Sequence, residues 1–278
     1  MTKRIAAITT VRNDDLYLPR WIDYYGAAFG HKNLFVFLDG HDQNLPQNAD
    51  DVNILRLPHL PLKRVPAMRR RAKIMSHLGQ ALHHNFDIVM AMDVDEFLIL
   101  DPLKGDNLAE YLSSIEGKST VSGLGLDVGQ HVGNEAPLDK SLPFLDQRKF
   151  AHVSSRYTKP ATSFKPITWG SGMHRVKGKN FHIDPNLFHF HFGMVDYELS
   201  TGKTADQSRL KTGWKGHLER REKLFKIIEG SAPHLGDVYF EEARKLQQKK
   251  RQLTAWNKPR MIKGDPVIVI PDRFKGIV

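Results

Sequence analysis

Short apolar segments alternate with longer amphipathic ones along the first half of the chain. The segment at residues 5–10 is apolar and β-branched, which predicts a strand buried on both faces. Further strands are predicted at residues 34–38, 52–57 and 88–92. Apolar residues recur at helical spacing from Leu18 to Phe29, and residues 67–84 form a second predicted helix. Strands that alternate with helices indicate an α/β fold, with a mostly parallel sheet and helices on both faces.

The second half of the chain alternates less regularly. The predicted elements are a helix at residues 108–115, strands at 120–126 and 187–192, and a loop at 129–150. In the strand at 187–192, two histidines share one face and three phenylalanines share the other. From residue 204 the chain is charged and helical, with one helix at 240–253. The pattern therefore predicts a Rossmann-like domain at residues 1–200 and a helical C-terminal extension at 201–278, packed on the same domain.

The composition narrows the chemistry and the partners. None of the 278 residues is cysteine, which excludes disulfides, thiolate metal ligands and thiol catalysis. We find neither a signal-peptide pattern nor an apolar run of the ~20 residues that a membrane span needs, so we expect a cytoplasmic protein. The formal net charge of +10 predicts an anionic partner, such as an anionic substrate, a membrane surface or nucleic acid.

Acidic residues follow the fourth predicted strand directly, at Asp93, Asp95 and Glu96. An Asp-x-Asp pair is usually solvent-exposed, but here apolar runs precede and follow it, at the carboxyl end of a strand where open α/β sheets bind ligands. If the chain stays extended, Asp93 and Asp95 point to one face, where their charges repel unless a cation holds them. A hard divalent ion meets that need, and it would stabilise a departing diphosphate.

The residues around this motif carry a family resemblance. The segment Asp93-Val-Asp-Glu-Phe resembles the Asp-x-Asp-Glu-Phe signature of bacterial glycosyltransferases of the family 2-like and family 92-like type, which have a GT-A fold. The segments Thr9-Thr-Val-Arg-Asn-Asp-Asp and Leu18-Pro-Arg-Trp-Ile-Asp-Tyr-Tyr are similar to the first motifs of that group, with Asp14 replacing a common Glu and Tyr25 a common His. The resemblance covers roughly residues 5–196.

This resemblance implies a metal-dependent, inverting transfer of a sugar from a nucleotide-diphosphate-sugar donor to a hydroxyl acceptor, in polysaccharide biosynthesis. The acceptor is expected to be a cell-envelope, extracellular or lipid-linked glycan. Contacts with the nucleoside are implied for Thr10, Arg12, Asn13 and Asp39. Binding of the ion, Mn²⁺ or Mg²⁺, is implied for Asp95 and His191, with Asp93 at the ribose or at the water shell of the ion. Phosphate contacts of the donor or of an anionic acceptor are expected for Arg148, Lys159 and Arg175.

An inverting transfer also needs a base that accepts the proton of the attacking hydroxyl. Asp127 follows the predicted strand at 120–126, and the neighbouring glycines at 123, 125 and 129 would let backbone and substrate approach closely. His174 is the rival candidate, because neutral imidazole is a competent base near pH 7. Both candidates stay open.

Two other function classes compete with the glycosyltransferase. A nucleotidyltransferase of similar fold would carry a glycine-rich phosphate loop after its first strand, and residues 12–16 contain no glycine. A basic nucleic-acid-binding protein would carry a recognition motif, which we do not find, so no nucleic acid is expected. The basic residues at 211–226 and 244–251 instead predict peripheral contact with an anionic membrane, at its inner face.

Overall fold

Four parallel strands form the first half of the sheet. The computed structural model describes residues 2–204, 215–249 and 257–278. The strands are β1 (Ile5–Val11), β2 (Leu34–Asp39), β3 (Asn53–Leu57) and β4 (Ile88–Ala91), in the spatial order β3-β2-β1-β4. Every pairing among them is parallel, so their carboxyl ends meet at one edge. The four predicted strands are confirmed to within two residues at each end.

Two long helices flank this parallel unit, α1 (Tyr17–Phe29) and α2 (Arg64–Leu82). Trp21 of α1 packs in one apolar cluster with Ala7 of β1. The next residue of that strand, Ile8, packs in a second cluster with Met75 of α2. Successive residues of a strand point to opposite faces, so the two helices cover the two faces of the sheet. The predicted burial of β1 on both faces is therefore confirmed, whereas β3 at the edge of the sheet is partly exposed.

The second half of the sheet is mixed. Its strands are β5 (Glu96–Leu100), β6 (Thr120–Gly129), β7 (Phe150–Val153), β8 (Thr162–Ser163) and β9 (Ile183–Met194). The short strand β8 joins the two halves, because it pairs antiparallel with both β4 and β6. Strand β9 runs parallel to β6 and antiparallel to β5. The protein thus has an α/β fold with a mixed, largely parallel central sheet and flanking helices.

The C-terminal region is less purely helical than predicted. Its elements are α5 (Tyr197–Thr204), α6 (Lys215–Gly230), β10 (His234–Leu235), α7 (Gly236–Gln248) and β11 (Val267–Val269), after the short helices α3 (Leu108–Ser114) and α4 (Phe144–Gln147). Strand β11 pairs antiparallel with β7, so the region extends the sheet of the main domain. An apolar run between Pro266 and Pro271 supplies this strand. No described helix is long and apolar enough to cross a membrane.

Glycines in β6 serve close packing and not flexibility. Asp127 lies within β6, which continues to Gly129, although the sequence predicted that the strand would end before it. A side chain at Gly125 would overlap the backbone of Ser154, Tyr157 and Thr158. The Gly125 N–H donates to Thr158 Oγ1 at 2.9 Å, and the Ser154 N–H donates to the Gly125 carbonyl at 2.8 Å. The absence of a Cβ therefore holds residues 154–158 directly against the strand.

Candidate functional site

A tight turn separates β4 from β5 and carries the acidic motif. The Glu96 N–H donates to the Asp93 carbonyl at 3.1 Å, so the chain is not extended through the motif. The expectation that Asp93 and Asp95 share one face is therefore wrong. Asp93 turns toward Arg71 of α2, at 2.8 Å from its guanidinium, and Asp95 turns toward His191 of β9. The turn thus directs the two aspartates to different partners, one to Arg71 and the other to His191.

Glu96 and Lys159 form a buried ion pair at the centre of the site. Glu96 is 0% exposed and Lys159 is 2% exposed. The Lys159 ammonium donates to Glu96 Oε1 and, at 3.1 Å, to Asp93 Oδ2, while His189 Nε2 lies 3.0 Å from Glu96 Oε2. Burial alone would raise the pKa of Glu96, but Lys159 and His189 outweigh it and hold that pKa well below its usual value. Lys159 thus neutralises carboxylates, which differs from the predicted contact with phosphate.

His191 lies between two other carboxylates. Its Nδ1 lies 2.6 Å from Asp127 Oδ1, and its Nε2 lies 3.4 Å from Asp95 Oδ2. The ring of Tyr157 stacks on it, with centroids 3.7 Å apart. Burial alone would lower the pKa of His191, but the charges of Asp127 and Asp95 outweigh it and raise that pKa. Histidines that bind a metal through one ring nitrogen typically donate the N–H of the other to a carboxylate. Here Asp127 is the carboxylate at Nδ1, and Nε2 lies beside Asp95.

Sheet register brings these residues together from distant parts of the chain. In the β5–β9 pairing Glu96 is opposite His191, and in the β6–β9 pairing Asp127 is opposite His191. His189 and His191 share the polar face of β9, while Phe188, Phe190 and Phe192 pack in the core, as the alternation predicted. The central position of β9 is therefore what assembles the acidic cluster, by which we mean Asp93, Asp95, Glu96 and Asp127.

Arg221 of α6 also reaches the acidic cluster. Its Nη2 lies 3.1 Å from His191 Nε2. A side chain at Gly193 would overlap the Arg221 guanidinium and press on Asp95 Oδ2, so this glycine provides the space in which both groups meet. Burial alone would raise the pKa of Asp95, but His191 and then Arg221 outweigh it and lower that pKa. The sequence offered no signal for this position, since Arg221 was one of several cations in a basic segment.

Part of the cluster fits a divalent cation. Among the described residues, Asp95, Glu96 and His191 form the one group of three whose potential ligand atoms lie within 4.8 Å of one another. Both oxygens of Glu96 already accept hydrogen bonds, which leaves Asp95 and His191 as the pair best able to bind an ion. Two ligands that each lie about 2.0–2.2 Å from one ion are typically about 3 Å apart, close to the 3.4 Å seen here. Asp93, a predicted ligand, lies outside this group.

A cavity of about 330 Å³ opens at the carboxyl ends of β1 and β2. Amides and carboxylates line it, namely Asn13, Asp14, Asp15, Asp42, Gln43 and Asn44. Asn13 has a left-handed backbone, with φ +47°, and its N–H donates to Gln43 Oε1 at 2.7 Å. Arg12 pairs with Asp42 at 2.6 Å, while Thr10 is half-buried at the end of β1. The structure thus brings Asn13 to a cavity of nucleoside size, together with Asp42 and Gln43, which the sequence reading missed.

Asp39 and Arg70 lie on the same edge. Asp39 ends β2, and its carboxylate lies 3.0 Å from His59 Nδ1 and 3.5 Å from Arg70 Nη1. Arg70 and the next residue, Arg71, therefore place two guanidinium groups of α2 at the ends of β2 and β4. Strand β1 lies between these two strands, so the arginines span the edge that joins the cavity to the acidic cluster.

Three predicted site residues have other surroundings. Arg148 is 1% exposed, and its guanidinium donates to the carbonyls of Val195 and Ala136, which ties the loop before β7 to the end of β9. Arg175 is exposed. His174 Nδ1 lies 2.8 Å from the Arg156 carbonyl. Burial and then the charge of Lys159 lower the pKa of His174 to about 3, so His174 is a weak base at neutral pH.

The buried pair of Glu96 and Lys159 makes a prediction about stability. We expect Lys159→Met to lower the free energy of unfolding by about 3–5 kcal/mol, because it leaves Glu96 charged and buried without its ammonium. Adding Glu96→Gln should restore about 1 kcal/mol or more, since the second change removes the stranded charge. Urea denaturation at pH 7 measures both effects, with the exposed Lys177→Met as a control within about 0.5 kcal/mol of the unchanged protein.

The pH dependence follows from the same pair. The folded pKa of Glu96 lies below its unfolded value of about 4.3, so its charge stabilises the fold above that pH, and this contribution is lost as the pH falls further. Glu96→Gln should therefore flatten the acid limb of the stability curve. Additive losses in Lys159→Met and Glu96→Gln, with no coupling between them, would contradict the ion pair.

Comparison with known proteins does not assign the site. No protein-family model matches the chain, and no protein of curated function matches it either. The resemblance to glycosyltransferases of the family 2-like and family 92-like type therefore stays a prediction. The geometry of the acidic cluster and of the cavity beside it is what supports a function.

Proposed function

We propose that the protein is a glycosyltransferase of the GT-A type, which transfers a sugar from a nucleotide-diphosphate donor to a hydroxyl acceptor with inversion. The observation that carries this proposal is the pair of Asp95 and His191, 3.4 Å apart, at the same sheet edge as the nucleoside-sized cavity. The pair would hold Mn²⁺ or Mg²⁺. When bound there, the ion would supply a positive charge for the departing nucleoside diphosphate.

The edge between the cavity and the cluster suits a diphosphate. Arg70 and Arg71 are about 30% exposed, and each already lies beside a carboxylate, of Asp39 or Asp93. A guanidinium binds phosphate and carboxylate oxygens with the same planar set of donors, so an entering diphosphate can take the place of either acid. With the nucleoside in the cavity near Asn13, the phosphates would pass these arginines on the way to Asp95. This path orders the donor along the carboxyl ends of β2, β1 and β4.

Asp127 has a clear task in this proposal. Its carboxylate would accept the Nδ1 proton of His191, so that the Nε2 electron pair, which faces Arg221 and Asp95, is the one that could bind an ion. His174 is a poor proton acceptor because its pKa is about 3. We therefore propose that Asp127 positions His191. The alternative is that Asp127 is the base for the acceptor hydroxyl, and substitution of Asp127 distinguishes the two roles.

The basic rim, residues 58–73, supports an anionic partner near the site. It contains six lysines and arginines and no acidic residue. Leu60 and Val65 are 45% and 46% exposed within it. The C-terminal surface that was predicted to bind a membrane has fewer free cations than expected, because Arg221 faces the acidic cluster and Arg244 stacks on Phe188 at 4.6 Å. Lys211, Trp214 and residues 250–251 of that surface lie outside the described residues. We propose that the rim contacts an anionic membrane that presents a lipid-linked or cell-envelope glycan acceptor.

Donor binding is the first test of the function. We expect nucleotide-diphosphate sugars to raise the melting temperature by several degrees in the presence of Mn²⁺ or Mg²⁺, because a ligand stabilises the folded state that binds it. Asp95→Asn should stay folded and lose this metal-dependent shift, while Asp272→Asn, an exposed change away from the site, should keep it. With a suitable acceptor the reaction should release nucleoside diphosphate, whereas release of pyrophosphate would indicate a nucleotidyltransferase. Full turnover in excess EDTA would rule out the metal dependence.

Asp127→Asn separates a positioning role from a base. If Asp127 orients His191, the variant should bind Mn²⁺ about 10–100-fold more weakly, and saturating Mn²⁺ should restore much of the turnover. If Asp127 is the base, turnover should collapse while Mn²⁺ affinity is unchanged. Titration calorimetry and steady-state kinetics measure the two quantities, with Glu241→Gln on the exposed face of α7 as the control.

Vesicle sedimentation tests the contact of the basic rim with a membrane. We expect the protein to bind vesicles that contain phosphatidylserine and not vesicles of phosphatidylcholine alone, with binding that falls as salt rises. The double change Lys63→Glu and Arg64→Glu should remove most of this binding, because each cation near the surface contributes about 1 kcal/mol. The same charge change at Lys177 and Lys179 should have a smaller effect. Equal binding to both kinds of vesicle would argue against the proposed contact.

A further inference from the structure

A cation of the protein itself lies in the candidate metal site. His191 Nε2 is 3.1 Å from Arg221 Nη2 and 3.4 Å from Asp95 Oδ2. The nitrogen through which His191 would bind an ion therefore already faces a guanidinium, and Arg221 Nη2 and Asp95 Oδ2 both lie within 3 Å of the position that a Cβ at Gly193 would take. Gly193 leaves the space for it, because a Cβ there would overlap the guanidinium. The site is thus built around a positive charge at this position.

Most of the negative charge of the cluster is neutralised without a metal ion. Asp93, Asp95, Glu96 and Asp127 contribute four negative charges, and Arg71, Lys159 and Arg221 contribute three positive ones beside them. A divalent ion that entered this group would therefore have to replace positive charge already present.

Arg221 is the cation that can be replaced. Lys159 is 2% exposed and its ammonium contacts two carboxylates, so its removal would leave both acids unpaired. Arg221 lies on α6, at the edge of the site, and its Nε has no hydrogen-bond partner among the described residues. An arginine cannot lose its proton in a protein, so it cannot stay beside His191 once a metal ion is bound to Nε2. Its side chain must move away.

The helix that carries Arg221 is anchored independently of the site. Leu224, Phe225 and Ile228 of α6 are buried, and they pack against Met194 and Val267. These contacts lie one and two turns beyond Arg221 along the helix. Rotation of the long Arg221 side chain therefore suffices to vacate the position, and α6 itself can stay in place.

We propose that Arg221 sets the metal affinity of this site, because its guanidinium and a divalent cation occupy the same position in turn. Without metal, Arg221 neutralises Asp95 and holds the pair of Asp95 and His191 in place. With metal, the guanidinium is displaced and the ion takes both ligands. Only an ion that binds these two groups more strongly than Arg221 does is retained. This inference rests on the metal-binding part of the proposed function and not on sugar transfer.

Calorimetric titration with Mn²⁺, without any nucleotide sugar, tests the exchange directly. Arg221→Gln should bind Mn²⁺ at least tenfold more tightly than the unchanged protein, because no guanidinium competes. Arg221→Lys keeps the charge on a different side chain and should lie between them. Lys223→Gln, an exposed cation two residues along the same helix, should bind as the unchanged protein does.

Thermal melting gives a second readout on the same variants. In EDTA, Arg221→Gln should melt at a lower temperature than the unchanged protein, because Asp95 has lost a neighbouring cation, and Mn²⁺ should restore more stability to the variant than it adds to the unchanged protein. If Arg221→Gln does not fold, the comparison of Arg221→Lys with Lys223→Gln decides. Equal or weaker Mn²⁺ binding by the Arg221 variants would overturn the exchange while leaving the metal site intact. Absence of Mn²⁺ binding in every protein tested would overturn the metal site itself.

Discussion

Four carboxylates lie close together at the end of a buried sheet, and the chain supplies cationic side chains beside them. Glu96 is the extreme case, since it is fully buried between Lys159 and His189. A buried charge without a partner would be neutralised or would destabilise the fold. The turn after β4, the loop that carries Lys159 and the polar face of β9 therefore have to fold together.

Strand β9 brings the acidic residues and their partners together. It pairs with β5 on one side and with β6 on the other, so the acidic residues of both neighbours face its histidines. Its opposite face carries the phenylalanines of the core. A shift of one residue in its register would exchange the two faces and separate every charge from its partner. The same packing that buries the phenylalanines thus fixes the geometry of the polar site.

Two kinds of cation serve the cluster, and they differ in how firmly they are held. Lys159 is enclosed, and the close approach of residues 154–158 to Gly125 fixes the chain that leads to it. Arg221 reaches the cluster from a helix at its edge, with a long side chain that crosses the space beside Gly193. The enclosed pair belongs to the permanent structure of the protein. The Arg221 guanidinium lies where an incoming ion would bind, at the same edge of the sheet as the cavity.

The sequence by itself determined most of the elements of this protein and the sheet edge at which the candidate site lies. Apolar runs in alternation with amphipathic segments predicted the parallel strands and their helices, and they correctly placed polar and acidic residues at the carboxyl ends of β1, β2 and β4. These features follow from local periodicity, which extends over one element at a time. The phenylalanine face of β9 was predicted for the same reason.

Only the tertiary structure decided which of these residues meet. The turn at Asp93 rotated the acids away from the common face that an extended chain would give them. Arg148 proved to hold backbone carbonyls, and Arg221, one cation among many in the sequence, proved to lie against His191. The contact of Arg221 with His191 joins residues 30 positions apart, and that of His189 with Glu96 joins residues 93 positions apart. They depend on strand order, register and the space left by a glycine. The hydrophobic pattern of a single segment predicts none of these.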